Sequence, residues 1–480
     1  MADCSPIGPF VCLSAPGMDR RVESRRTGPP ERRTGSRAQR LDRRAGDRRR
    51  ARPGLEQLDD RILLSVNFSM AAGFGSTTDL RALAIATDPT GNLYVTGSFK
   101  GTVNFNPGAG SSTATSVGNN DMFVAKYNSA GALVWAEALP GTVWSSVGQS
   151  DAIAVDPSGN IIIAGEFSGT VDFDPGPGNH ILNSPNRSDA FVAKLTPSGA
   201  LSWVDDMPGT IGDVDNVSGV AVDGSGNIVV TGSFAETATF GTTVLTTGGA
   251  DNLFVAKLGS SGNVLWAKGA GASGNATSGG TGLAIDGSGN VDVSGFYAGT
   301  VDFNPGSGKD SHTVAGLRDG FVAQFDPAGT FHWFVGVGGS DFDQANAVAV
   351  DPAGNVYSTG SFSGTVVFDS VSQTSLTSGG DSSVFVLKLN STGHFAWARG
   401  MKITTGSAVG TGIAVDSTGQ VDTTGWFENT VDFDPGAATF NLTSAGFEDV
   451  FVSELNSNGN FVGAQSAGGT DFDVASSIAL

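Results

Sequence analysis

Apolar and polar residues alternate with a period of two in short runs along most of the chain. In the run Asp189-Ala190-Phe191-Val192-Ala193-Lys194-Leu195, for example, Phe191, Ala193 and Leu195 share one face. β-Branched and aromatic residues are enriched in these runs, and both features predict strands. Six times an apolar run leads into Asp-x-x-Gly-Asn or a close variant, then into a second run ending near Gly-x-Phe. These turns begin at Asp88, Asp156, Asp223, Asp286, Asp351 and Asp416, at spacings of 68, 67, 63, 65 and 65 residues. Asp-Pro-Ser-Gly-Asn and its relatives put turn formers where a hairpin needs them, with Gly free to take positive φ.

Each unit continues in the same order. A second hairpin follows, with a turn such as Pro197-Ser198-Gly199, and then an indole at Trp135, Trp203, Trp266, Trp333 and Trp397; unit six has Gly463 near that place. Four strands per unit of ~65 residues, repeated, describe an all-β fold, a β-propeller of four-stranded antiparallel blades. Both ends of the body carry partial units. Asn67 to Gly73 is similar to the last strand of a unit, and Ser477 to Leu480 to a first strand. The expectation is six complete blades plus an incomplete seventh, with its inner strand from the C-terminus, its outer strand from residues 67–72 and its two middle strands missing.

The pattern AVD-x-x-GN-x-YVTGSF followed by DxFVAKL-x-x-xG-x-x-W resembles the bacterial seven-bladed β-propeller repeat known as SBBP. The resemblance covers roughly residues 66 to 480. It implies a fold and little chemistry, because propellers host many unrelated functions. The units are longer than the commonest form of the repeat, the extra length lying between the hairpins in stretches such as Gly169 to Gly176.

Composition agrees with a strand-rich body and adds a division. The chain has 70 Gly and 19 Pro in 480 residues, Gly standing at about twice its usual share. Residues 1–65 hold 15 Arg, no Lys and 9 acids; from Val66 onward there are 12 basic and 38 acidic residues, a net of −26. An acidic body repels nucleic acid and anionic lipid, so no nucleic-acid partner is expected. No window approaches ~18 consecutive apolar residues, so no transmembrane segment is expected. The Arg-rich leader, 1–65, reads as disordered. Its end, Leu55 to Ser65, resembles the LEPR-XLL motif of exported bacterial proteins: Leu58, Arg61, Leu63 and Leu64 match, and Asp59 and Asp60 replace the usual Glu and Pro. That resemblance implies an extracellular or cell-surface location. Cys4 and Cys12 are the two cysteines and both lie in the leader, so the body has neither a disulfide framework nor a cysteine-based zinc site.

Candidate chemistry is sparse. The six turn aspartates could ring a channel, but an Asp opening a tight turn is needed by the turn itself. Asp-Phe-Asn/Asp-Pro-Gly occurs at Asp172 to Gly176, Asp302 to Gly306 and Asp432 to Gly436, with a variant at Asn104 to Gly108. Alternate carboxylate and amide oxygens before Gly resemble a calcium loop, which needs six to eight oxygens; these segments lack the later ligands, and a strand entering a Pro-Gly turn explains them. His180, His312, His332 and His394 show no metal spacing. The pair Asp205 and Asp206 could in principle do acid–base work, though close carboxylates are common among so many. The repeated Trp reads as packing between blades rather than as a sugar platform. No catalytic residue, cofactor or metal is therefore expected. The leading expectation is a non-enzymatic surface or secreted bacterial propeller that presents loops to a protein or glycan partner. The alternatives are a propeller enzyme of the polysaccharide lyase or glycosidase kind, and a structural module of a larger surface protein.

Overall fold

The computed structural model describes residues 10–15, 75–76 and 79–480, apart from short internal stretches of which the longest are 142–148 and 208–215. Contacts divide the chain into residues 1–17 with 65–480, and residues 18–64; every described residue belongs to the first unit. Among the described residues there is no helix, hence none long and apolar enough to cross a membrane. Strands account for the regular structure, as the alternating pattern predicts.

Each of the six repeats folds into four antiparallel strands joined in sequence order. In unit one they are Asp79–Thr87, Leu93–Lys100, Asp121–Tyr127 and Leu133–Leu139. The inner strands of units two to six are Gln149–Val155, Asn216–Val222, Thr277–Ile285, Gln344–Val350 and Ala408–Val415. Successive inner strands pack side by side, and sheets arranged around such a set of inner strands make a β-propeller.

Local chemistry sets each hairpin. The Gly of every Asp-x-x-Gly turn has φ between 77° and 82°, a region L side chains rarely enter. In the first turn Gly91 N donates to Asp88 O at 2.9 Å, and the other five repeat this bond. At the second turn position units one, two and five have Pro, whereas units three and four have Gly224 and Gly287. A Cβ at either glycine would meet no atom within 4 Å. Gly287→Pro should therefore raise stability by about 0.4–1 kcal/mol by restricting the unfolded chain. A lowered denaturation midpoint would show that this turn differs from its Pro-bearing counterparts.

Packing within a blade centres on three aromatic rings. In unit two Phe167, Phe173 and Phe191 are fully buried; Phe167 meets Phe173 edge-on at 5.4 Å, and Phe173 meets Phe191 at 4.8 Å. Every unit repeats the trio, with Tyr297 taking the first place in unit four. The middle ring belongs to the extra length between the hairpins, which forms a small accessory hairpin, as in Thr300–Asp302 with Ser311–Thr313. Connections between units pair with these hairpins: Gly271–Gly274 lies beside Thr300–Asp302 of the next unit.

Two findings concern the ends. Val474–Ala479 forms a strand, in line with the first-strand pattern at Ser477 to Leu480, and packs against the inner strands of both unit six and unit one. The leader reading needs correction, because Phe10–Ala15, a short apolar run ahead of the leader's first Arg at Arg20, is a strand. It pairs antiparallel with Val474–Ala479, and Ser14 and Ala15 pair with Arg81 and Leu80 of unit one. The rest of the leader and the 67–72 segment lie outside the described residues.

Candidate binding surface

Repeated polar residues serve the fold. Asp156 Oδ1 accepts the N–H groups of Ser158 and Asn160 at 2.8 and 2.9 Å, and its Oδ2 accepts Asn160 Nδ2 at 2.7 Å. Equivalent bonds hold the other five turns, with Gln420 replacing Asn in unit six. Such donors hold the carboxylate in its charged form: Asp223 is lowered to about 2, and hydrogen bonds to Asn227, Lys257 and Ser225 outweigh the opposing effect of burial. The turn reading of Asp-Phe-Asn/Asp-Pro-Gly also agrees with the geometry. Asp172 Oδ1 accepts Asp174 N and His180 N, and Asp174 Oδ1 accepts Gly176 N. Asp302 and Asp432 close their own hairpins in the same way.

Each indole reaches forward to the next unit. Trp135 Nε1 donates to Pro197 O at 3.2 Å, Trp203 to Ser260 O at 3.3 Å, Trp266 to Pro327 O at 3.1 Å and Trp397 to Ser457 O at 3.2 Å. Trp333 instead donates to Gln324 Oε1 of its own unit. All five rings lie under the positive-φ Gly of the next unit's outer turn, where a Cβ would meet the indole. Trp203→Phe keeps an aromatic ring and loses the hydrogen bond and part of the contact. It should cost about 1–2 kcal/mol in equilibrium unfolding. An unchanged midpoint would mean that the indole does not hold the seam.

Asp205 and Asp206 are neighbours in the outer strand Leu201–Met207, so their side chains leave on opposite faces and form no acid–base pair. The histidines lie apart: His312 stacks on Phe334 at 3.8 Å, His332 Nδ1 is 3.4 Å from Gln324 Oε1, and His394 Nδ1 bonds Thr392 Oγ1. Among the described residues no three His, Cys, Asp or Glu side chains are grouped to hold a metal ion.

More informative are positions where one unit departs from the others. Between the second and third strands a Lys faces Tyr94, Ile162, Val229 and Tyr357 in units one, two, three and five. Lys194 and Lys257 form buried ion pairs with the turn carboxylates Asp156 and Asp223, both at 2.9 Å. Unit four has Asp292 opposite Gln324, and unit six Asp422 opposite Glu454. Asp292 is fully buried; its Oδ1 accepts Gln324 Nε2 at 3.0 Å and its Oδ2 has no partner. Burial pushes Asp292 up to about 8, and burial with the nearby Glu454 and Asp416 pushes Asp422 up to about 7. Both groups escaped the sequence reading, although Val291-Asp292-Val293 and Val421-Asp422-Thr423 carry the signal, an acid at a strand position that is apolar or Tyr elsewhere.

A second departure follows Trp397. Two and five residues after the indole, units one to four have Glu137, Asp205, Lys268 and Val335, then Pro140, Pro208, Gly271 and Gly338; unit five has Arg399 and Lys402. Both cations reach into unit six. Arg399 Nε donates to Gly459 O at 2.8 Å and Nη2 to Asn458 O at 3.0 Å, while Lys402 Nζ donates to Asp434 O at 2.9 Å and lies 3.5 Å from Asp432 Oδ2. Between these two clamps lies a cleft of about 760 Å³, lined by Leu376, Met401, Ala437, Ala438 and Phe461 besides the cations.

No family model matches the chain. An uncharacterised WD repeat-containing protein of Acanthamoeba polyphaga mimivirus is 25% identical over 336 residues, covering 58% of this chain; the match spans 24% of that protein's length. A crystal structure of a protein of unknown function from Bacteroides caccae aligns with a TM-score of 0.34 at 11% identity, covering 74% of this chain and 94% of its own. One from Dyadobacter fermentans, also of unknown function, aligns at 0.35 and 12% identity, covering 72% and 90%. Likeness of this degree says nothing about function. The chain itself is an all-β repeat protein with the antiparallel sheets of a β-propeller.

Proposed function

We propose that the chain is a non-enzymatic propeller scaffold, exported to the bacterial surface or beyond, that presents variable loops to a protein or glycan. The carrying observation is that the repeated turn aspartates and tryptophans bond to backbone within or between blades. Apart from the buried strand residues Asp292 and Asp422, the departures from unit to unit described above lie on seams held by this frame. The SBBP-like repeat and the LEPR-XLL-like segment support the same reading. A glycan array and a protein-interaction screen on the full chain test it, beside an activity screen against polysaccharides. Binding without turnover is the expected result, and product formation from any polysaccharide would overturn the non-enzymatic part.

The scaffold is best read as a ring of seven. Thr281 Oγ1 donates to Ala345 O in the next inner strand at 2.5 Å, Asn346 Nδ2 to Gly410 O at 2.8 Å and Thr411 Oγ1 to Ala475 O at 2.6 Å. Each bond spans 64 residues, and the third lands on Val474–Ala479 as the others land on complete units. Thr87 Oγ1 of unit one then donates to Leu480 O at 2.6 Å. Phe10–Ala15 takes the second-strand place, its bulge at Cys12/Leu13 answering the bulges between first and second strands in the six units.

A further inference from the structure

We infer that the rim cleft between units five and six binds a saccharide bearing a single carboxylate, with Arg399 as its anchor. The inference rests on the reading of the chain as a binding scaffold and assigns the ligand class and the place. The cleft's volume, about 760 Å³, is that of a small-ligand site. Its chemistry comes from the departure after Trp397, where the other seams carry no such pair of cations.

Arg399 is preorganised. Its guanidinium lies 5.3 Å from the centre of the Trp397 ring, and three of its five N–H groups go to the carbonyls of Gly459, Asn458 and Ala398. One N–H remains on each terminal nitrogen for a carboxylate to accept in a charge-assisted hydrogen bond. Lys402 lies on the far side, its ammonium directed to the carbonyls of Asp434 and Gly436 and to the Asp432 carboxylate, so it fixes the wall rather than the ligand. Asp434, also in the lining, turns its Oδ1 onto Gly436 N. Phe461, packed on Phe440 at 5.1 Å, offers an apolar face, and Ala437 and Ala438 leave room opposite. An apolar face beside a fixed cation suits a sugar ring carrying one acid group. A polyanion would meet long-range repulsion from a body with a net charge of −26, which restricts the ligand to sparse charge.

The test is calorimetric titration of the full chain with cellobiouronic acid, a glucuronate joined to glucose, and with neutral cellobiose. The acid should bind at least about ten-fold tighter than cellobiose. Ala438→Trp, an exposed substitution in the cleft wall that removes neither cation, should weaken the acid about ten-fold or more and leave the thermal midpoint unchanged. Arg399→Lys keeps the charge, loses the planar fork and should weaken binding to a similar extent. Equal affinity for both disaccharides, or acid binding indifferent to Ala438→Trp, overturns the inference. So does a carboxylate-terminated peptide that binds where the disaccharides do not. Neutral glycans captured elsewhere on the propeller would overturn the cleft and leave the scaffold reading standing, whereas blank glycan and protein screens would count against the scaffold itself.

Discussion

Gly360→Ala should destabilise the chain by about 3 kcal/mol or more, or prevent unit five from folding, although it adds one methyl group. Gly360 lies in the second strand of unit five, opposite the bulge between Ala345 and Ala347 of the inner strand. A Cβ there would overlap Gln344 O, with Ala345 Cα also close, and a paired backbone has nowhere to move. Gly97, Gly232, Gly295 and Gly425 face equivalent inner-strand carbonyls, those of Arg81, Asn216, Gly279 and Val409. The Gly two residues before the aromatic ring that closes five of the six second strands thus has a steric cause. Gly287→Ala is the control, since it adds the same methyl to a turn with nothing nearby and should stay within about 0.5 kcal/mol. Urea unfolding of both variants tests the pair, and equal stabilities would remove the steric account.

Stability should be greatest in mildly acidic solution, near pH 4 to 5, and should fall toward pH 9. A carboxyl raised in the folded state holds its proton more tightly folded than unfolded. Its stabilising contribution is full below its ordinary value of 3.8 and is lost as pH rises through its folded value. Asp343 reaches about 6, Asp422 about 7 and Asp292 about 8, each chiefly through burial, so the decline extends over the neutral range. The turn carboxylates work in the opposite sense. Asp223, lowered to about 2, contributes stability above its ordinary value that is lost as pH falls through 2. With roughly 1.4 kcal/mol for each pKa unit, Asp292 alone accounts for a few kcal/mol between pH 4 and pH 9. Asp292→Asn keeps the acceptor for Gln324 Nε2 and removes the ionisation. It should flatten the profile and raise the melting temperature at pH 8.5 with little change at pH 4.5. An unaltered slope would show that Asp292 does not carry it.

What the chain disclosed in advance follows from the range of each interaction. The six turns were legible because an Asp, a Gly at positive φ and the Asn after it act within five residues. The tryptophans were legible as packing residues, but not their partners, because the carbonyl that four of the five indoles meet is about sixty residues on. Pairing of connections with accessory hairpins was hidden, since Gly271 and Ala272 make a two-residue ladder with no hydrophobic period. Phe10–Ala15 was hidden by treating residues 1–65 as one piece: all 15 Arg lie from Arg20 onward, so their weight does not describe the six apolar or small residues ahead of them, and the strand partner lies at the other end of the chain. The rim cleft was unreadable as a cavity, because it forms from five separate stretches of units five and six. Arg399 and Lys402, read against the other units, were the trace it left.

The forward reach of the indoles gives the propeller a direction in its dynamics. A unit that opens transiently frees the turn ahead of it while its own turn stays gripped from behind. Units two to five both grip and are gripped, whereas unit six, with Gly463 in the indole's place, is only gripped. Sub-global opening should therefore be easiest on the forward face of unit six. In native-state hydrogen exchange the amides of its outer strand, Phe461–Ala467, should lose protection before those of Leu201–Met207, Val264–Gly269 or Phe331–Val337.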